Sequence, residues 1–135
     1  MPDQEQWEHL IEQAVQARHR AYVPYSRYAV GAALRTRSGK TYTGCNIENV
    51  SYGLTVCAER VAIWKAVAEG ETDFEALAVV TSNGGSPCGA CRQVMAEFAP
   101  ELTVVVADTG QRYRITSVDE LLPGAFLPSD LPPVL

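Results

Sequence analysis

No run of apolar residues in this sequence approaches the roughly 20 needed to cross a bilayer as a helix. The longest, such as Leu77 to Val80 and Leu102 to Ala107, are the length of strands. No membrane partner is expected. The opening Met1-Pro2-Asp3-Gln4-Glu5-Gln6 lacks the basic residues and the apolar stretch of a secretory signal, which makes the cytoplasm the expected compartment. Positive charge is scarce as well. Eleven Lys and Arg face 16 Asp and Glu, for a net charge of -5, and the basic residues are scattered. Nothing forms the basic stripe that neutralises a row of phosphates, so no nucleic-acid partner is expected. Histidine is nearly absent. The two present, His9 and His19, are ten residues apart on one predicted helix, a spacing that suits no chelate, and both read as solvated surface residues.

What is present is ordinary for a folded protein. At 135 residues, 47% hydrophobic and 20% charged, the chain can bury one core and not two, so one domain over 1–135 with one site is expected. Trp7, Leu10, Ile11, Ala14 and Val15 recur at helical spacing, which predicts a helix from about Gln4 to Arg20, stopped by Pro24. Tyr28 to Leu34 and Thr41 to Cys45 read as two strands joined at Ser38-Gly39. Asn46 to Thr55 reads as a polar loop. A second helix starts at Cys57 and ends near Gly70. Ala76 to Thr81 is a buried-type strand, followed by a turn-rich loop and a third helix with Ser86 as cap and Pro87 in its first position. Leu102 to Ala107 and Tyr113 to Thr116 are two more strands. Ser117-Val118-Asp119-Glu120 is a capping-box pattern opening a short last helix, and the tail from Pro123 is expected to be extended. Five strands alternating with helices imply an α/β domain with a mixed sheet.

The cysteines carry the chemistry. Cys88-Gly89-Ala90-Cys91 opens a helix just after a strand, so its two sulfurs lie one turn apart on one face and can grip one metal ion. Alone, this pattern fits a thioredoxin-like redox site or structural zinc equally well. Cys57 supplies a third sulfur from the head of another helix, with Glu59 two residues later. First-turn side chains lean toward the N-terminus, so both can reach a point beyond the helix end. Two helix N-termini aimed at one point favour thiolates. Structural zinc takes four protein ligands, whereas three leave a position for water.

Cys57-Ala58-Glu59 with Pro87-Cys88-Gly89-Ala90-Cys91 is the spacing of the zinc nucleobase deaminases. The chain resembles the small all-cysteine cytidine deaminases nearly end to end. Pro24-Tyr25-Ser26-Arg27-Tyr28-Ala29-Val30-Gly31-Ala32-Ala33 is similar to that family's first-strand signature, with Tyr28 where Phe is usual. Gly44-Cys45-Asn46-Ile47-Glu48-Asn49 is similar to its ribose loop, Cys57-Ala58-Glu59-Arg60 and Pro87-Cys88-Gly89-Ala90-Cys91-Arg92-Gln93 to its zinc motifs, and Glu120-Leu121-Leu122-Pro123-Gly124-Ala125-Phe126 to its C-terminal signature. The resemblance implies a three-layer α/β/α fold with a mixed five-stranded sheet. It also implies one Zn²⁺ per subunit on Cys57, Cys88 and Cys91, and hydrolysis of the 4-amino group of free cytidine or deoxycytidine by a zinc-activated water with Glu59 as proton shuttle. Asn46 and Glu48 would bond ribose hydroxyls, Tyr28 would pack near the nucleoside, and Ala58 would offer backbone contact to the base. The expected assembly is a homotetramer with shared active sites, to which Phe126 and Tyr52 contribute from neighbouring chains.

Three thiolates leave the ligated metal formally negative, so a donor must withdraw charge, and Arg60 is placed to hydrogen-bond a ligand sulfur. Cys45 lies outside both motifs and reads as a small buried hydrophobe. Phe126 fits a core position of its own chain as readily as a projecting one. Two rival readings fit the sequence. A zinc-stabilised binding module predicts a fourth protein ligand and an unreachable Glu59. The other is a deaminase of polynucleotides or of a cytosine-containing antibiotic, against which Asn46 and Glu48, suited to ribose hydroxyls, favour the free nucleoside.

Overall fold

The computed structural model describes residues 4–133; the Met1-Pro2-Asp3 start of the polar N-terminus lies outside them. Five strands make one mixed sheet in the order β2-β1-β3-β4-β5. They are β1 (Gly31–Thr36), β2 (Thr41–Cys45), β3 (Phe74–Thr81), β4 (Thr103–Asp108) and β5 (Tyr113–Ser117). Only β3 and β4 run parallel; the other three pairings are antiparallel. The helices are α1 (Gln4–Arg18), α2 (Ala58–Ala68), α3 (Gly89–Phe98) and α4 (Val118–Leu121). This is the three-layer α/β/α architecture expected.

Strand alternation divides the core in two. Ala33, Ala76, Ala78, Val80, Val105 and Ala107 face α1, which buries Trp7, Leu10, Ile11 and Ala14 against them. Fully burying side chains the size of Leu10 and Ile11 contributes about 1.5–3 kcal/mol each. Ala32, Leu34, Leu77, Val79, Val104 and Val106 face the other way, toward Ala62, Ile63 and Ala66 of α2 and Met95 and Ala96 of α3. The face of Leu77 and Val79 continues to Thr81 at the end of β3, where α2 and α3 begin. Among the described residues, no helix is long and apolar enough to cross a membrane.

Three local expectations fail for physical reasons. The first strand begins at Gly31, not Tyr28, because the Asn46 side chain takes the pairing role: its Nδ2 donates to the Tyr28 carbonyl at 2.8 Å and its Oδ1 accepts from Val30 N–H at 2.9 Å. Arg27, at φ 57°, turns the chain just before. Helix α3 begins after Pro87, with Cys88 as its cap residue. Ser86 and Pro87 instead accept hydrogen bonds from the Arg92 guanidinium. The Ser117 capping box does not form, since its hydroxyl goes to the Asp119 and Glu120 carboxylates, not to a backbone N–H. The ends also differ slightly. Helix α1 stops at Arg18, whose Nε bonds the Ala29 carbonyl at 2.9 Å, and the tail contains a single turn of 3-10 helix at Pro128–Asp130.

Candidate active site

Two helix heads meet at the end of β3. Cys57 is the cap residue of α2 and Cys88 that of α3, each in extended conformation with its side chain free of capping. Cys91 follows one turn into α3 and is buried. The approach of α2 depends on Gly44 of β2. A Cβ there would stand 2.4 Å from the Ala58 carbonyl oxygen, so any other residue would push the head of α2 off the sheet.

The Cys57 and Cys88 sulfurs are 3.7 Å apart, and all three sulfurs lie within 4.8 Å of one another. Zinc–sulfur bonds of about 2.3 Å at tetrahedral angles place two sulfurs ~3.8 Å apart, so the donor set fits one zinc ion. Among the described residues, these three form the one metal-capable cluster of His, Cys, Asp and Glu side chains, and Cys45 is not part of it. His9 and His19 are exposed on or just after α1. Without metal, hydrogen bonding from the Cys91 thiol, then Arg60 and Cys88, holds Cys57 down at about 5 against the effect of burial. Cys91 is pushed up, first by that same bond to Cys57 and then by burial. The Arg60 Nη2 stands 3.3 Å from the Cys57 sulfur.

Glu59 sits in the first turn of α2 and is 4% exposed. Burial, reinforced by the neighbouring Cys57, pushes its carboxyl up to about 7. A cavity of about 200 Å³ opens beside it, with Cys57, Cys88, Asn46, Tyr28 and Thr81 among its walls. The larger hollows elsewhere, including one of about 580 Å³ beside Cys45 and Lys65, contain none of these groups.

The remaining predicted residues divide into two sets. Ala58 is fully buried at the first position of α2, where a backbone N–H has no helical partner. Asn46 lines the cavity while bracing Tyr28 and Val30. Glu48 stands outside the lining; its Oε1 accepts from the Tyr25 and Ser26 N–H groups at 2.9 and 3.2 Å. Bonds from Ser26, side chain first, hold its carboxyl below the usual range. Phe126 is 60% exposed and Tyr52 71%, and neither lines the cavity of its own chain. Gln93 of α3 anchors the Phe126 carbonyl at 2.7 Å, and Tyr52 lies edge-on to Tyr25, 5.6 Å between ring centres.

Some neighbours of the site were not foreseen. Thr81 is buried at the end of β3 and lines the cavity with Gly85 and Ser86. Its position two residues past Val79, on the α2–α3 face, was the available signal. Arg92 clamps the head of α3, donating to Pro87 O, Ser86 Oγ and the Leu121 carbonyl. Only the fold brings Leu121 to it.

Comparison with known proteins decides the family. The profile for the cytidine and deoxycytidylate deaminase zinc-binding region matches residues 4–107. The chain belongs to the cytidine and deoxycytidylate deaminase family. It is 56% identical over 126 residues to a cytidine deaminase of Halalkalibacterium halodurans, covering 90% of this chain and 95% of that one. The crystal structure of cytidine deaminase from Burkholderia pseudomallei superposes with a TM-score of 0.84 at 52% identity, over 87% of this chain and 97% of that one. That from Mycobacterium tuberculosis superposes at 0.78 with 43% identity, over 89% and 96%. As a member of this deaminase family, the chain is a zinc-dependent hydrolytic enzyme.

Proposed function

We propose that residues 1–135 form one catalytic unit that hydrolyses free cytidine and deoxycytidine to the corresponding uridines and ammonia. The observation that carries this reading is the placement of Glu59, buried beside three sulfurs and lining a cavity with Asn46. Cys57, Cys88 and Cys91 would hold one zinc ion per subunit. When bound, zinc supplies a Lewis acid that makes water nucleophilic near neutral pH. The rest is the work of the chain. Glu59 takes a proton from the attacking water and passes it to N3 of the cytosine as the C4–O bond forms; it then takes the proton of the new C4 hydroxyl and delivers it to the amino group, which leaves as ammonia as the C4–N bond breaks. Its carboxyl, raised toward neutrality by burial, suits a group that both accepts and returns a proton. Arg60 withdraws charge from the Cys57 sulfur.

Asn46 and Glu48 serve the sugar. Each of the two Asn46 polar atoms has one bond to backbone, leaving capacity for a hydroxyl. Tyr28 walls the cavity, and the Ala58 N–H faces the base. Phe126 and Tyr52, exposed on their own chain, complete the sites of neighbours in a homotetramer. Chromatographic analysis of product from cytidine, deoxycytidine, deoxycytidylate and a cytosine-containing single-stranded oligonucleotide tests the reading. Conversion of the two nucleosides is expected; turnover of the oligonucleotide alone would overturn it.

A further inference from the structure

The Tyr28 hydroxyl donates to Asn83 Oδ1 at 2.7 Å, joining the segment before β1 to the loop between β3 and α3 across 55 residues of sequence. Asn83 Oδ1 has a second donor at the end of β3. Thr81 Oγ1 accepts the Gly85 N–H at 2.8 Å and lies 3.3 Å from the same Asn83 atom. The Thr81 hydroxyl donates to that oxygen, which thus accepts from Thr81 and Tyr28 together. Both lone pairs of Asn83 Oδ1 are then used.

Gly85 belongs to the same arrangement. A Cβ there would stand 2.5 Å from the Tyr28 hydroxyl, so the loop backbone passes close against that oxygen. Tyr28, Thr81, Gly85 and Ser86 all line the cavity that also holds Glu59 and Cys88. The Tyr28 backbone is fixed from the other side by Asn46. The far end of the loop is fixed by Arg92, through Ser86 and Pro87. Between those two fastenings, Asn83 is held by Thr81 at the end of β3 and, from the segment before β1, by the Tyr28 hydroxyl.

We infer that Tyr28 is a positioning residue whose hydroxyl latches the Ser82–Ser86 loop and so preforms the wall of the nucleoside cavity; this rests on the functional reading above. A phenylalanine in its place would keep the ring against the substrate and release the loop. Asn83 is not among the residues that line the cavity, so the latch supports substrate and transition state alike and acts on KM more than on kcat. One neutral hydrogen bond of this kind corresponds to about a five- to tenfold effect.

The test uses the zinc-loaded full chain carrying Tyr28→Phe, Asn83→Ala, or both. With Tyr28→Phe, KM for cytidine should rise about five- to tenfold with kcat within about twofold and zinc content unchanged. Asn83→Ala should do the same, and the double variant should be no worse than the more impaired single one, because both remove one interaction. Amide hydrogen exchange over residues 82–86, read without substrate, should quicken in Tyr28→Phe. Unchanged exchange, additive effects, or a loss confined to kcat would overturn the latch. Wild-type protein that holds zinc and leaves cytidine intact would defeat the functional reading instead, with the exchange measurement still deciding the latch.

Discussion

The Nη2 atom of Arg60 lies 3.3 Å from the sulfur of Cys57, three residues earlier at the head of the same helix. The guanidinium also stands 5.9 Å from the centre of the Trp64 ring, one turn further on. A fixed cation against one of three sulfurs offsets the negative charge that three thiolates bring to a divalent ion. Arg60→Gln should therefore retain the fold while zinc passes to a chromogenic chelator faster, with activity reduced ~10- to 100-fold. Unchanged transfer and turnover would make Arg60 a surface charge only.

The ligand assignment separates the four cysteines. Cys57, Cys88 and Cys91 cluster and Cys45 does not, so Cys57→Ala should lose zinc and activity together while Cys45→Ala keeps both. Metal analysis of the purified proteins should give one zinc per chain for wild type. Equal losses from the two substitutions would contradict the assignment.

Glu59 makes the metal-free protein sensitive to pH. Its carboxyl titrates near 7 in the fold, against 4.5 when unperturbed. Between those values the folded chain keeps a proton that the unfolded chain has released, so stability falls as pH rises through the window and levels off above it. Removing the group removes the loss. The metal-free, reduced Glu59→Gln protein should gain on wild type by up to about 3 kcal/mol between pH 4.5 and pH 8. Urea unfolding at the two pH values reads the difference directly. A gap that stays the same at both would mean that Glu59 is not desolvated.

The exposed Phe126, with its carbonyl held by Gln93, leads to a complementation experiment. Glu59→Gln and Phe126→Ala proteins, each impaired alone, should give more activity when co-refolded than the average of the two. Mixed oligomers would then pair an intact Glu59 with a neighbour's intact Phe126. Activity equal to the parental average, in a sample containing mixed oligomers, would return Phe126 to service of its own chain.

The parts of this protein that follow from local pattern could be read in advance. Strand β2 runs over Thr41–Cys45 as expected, α1 buries the Trp7, Leu10, Ile11, Ala14 stripe, and three cysteines from two motifs meet at two helix heads. What escaped the sequence depends on side chains that replace backbone partners, or on contacts between distant segments. Asn46 takes the ladder bonds of Tyr28 and Val30, so β1 starts three residues late. Ser117 satisfies carboxylates in place of a helix N–H. Arg92 reaches Leu121 and Tyr28 reaches Asn83, pairings for which neither partner carries a local signal.

Glu59 beside the three-sulfur site is proposed to carry out hydrolytic deamination of a free cytosine nucleoside. Ammonia release from cytidine, measured together with conversion to uridine for zinc-loaded wild type and zinc-loaded Glu59→Gln, tests it most directly. Wild type should yield one ammonia per uridine, and the variant, with zinc retained, should turn over at least ~100-fold more slowly. A zinc-loaded wild type that releases no ammonia from cytidine, or a zinc-loaded Glu59→Gln that works at the wild-type rate, would rule out this role for Glu59.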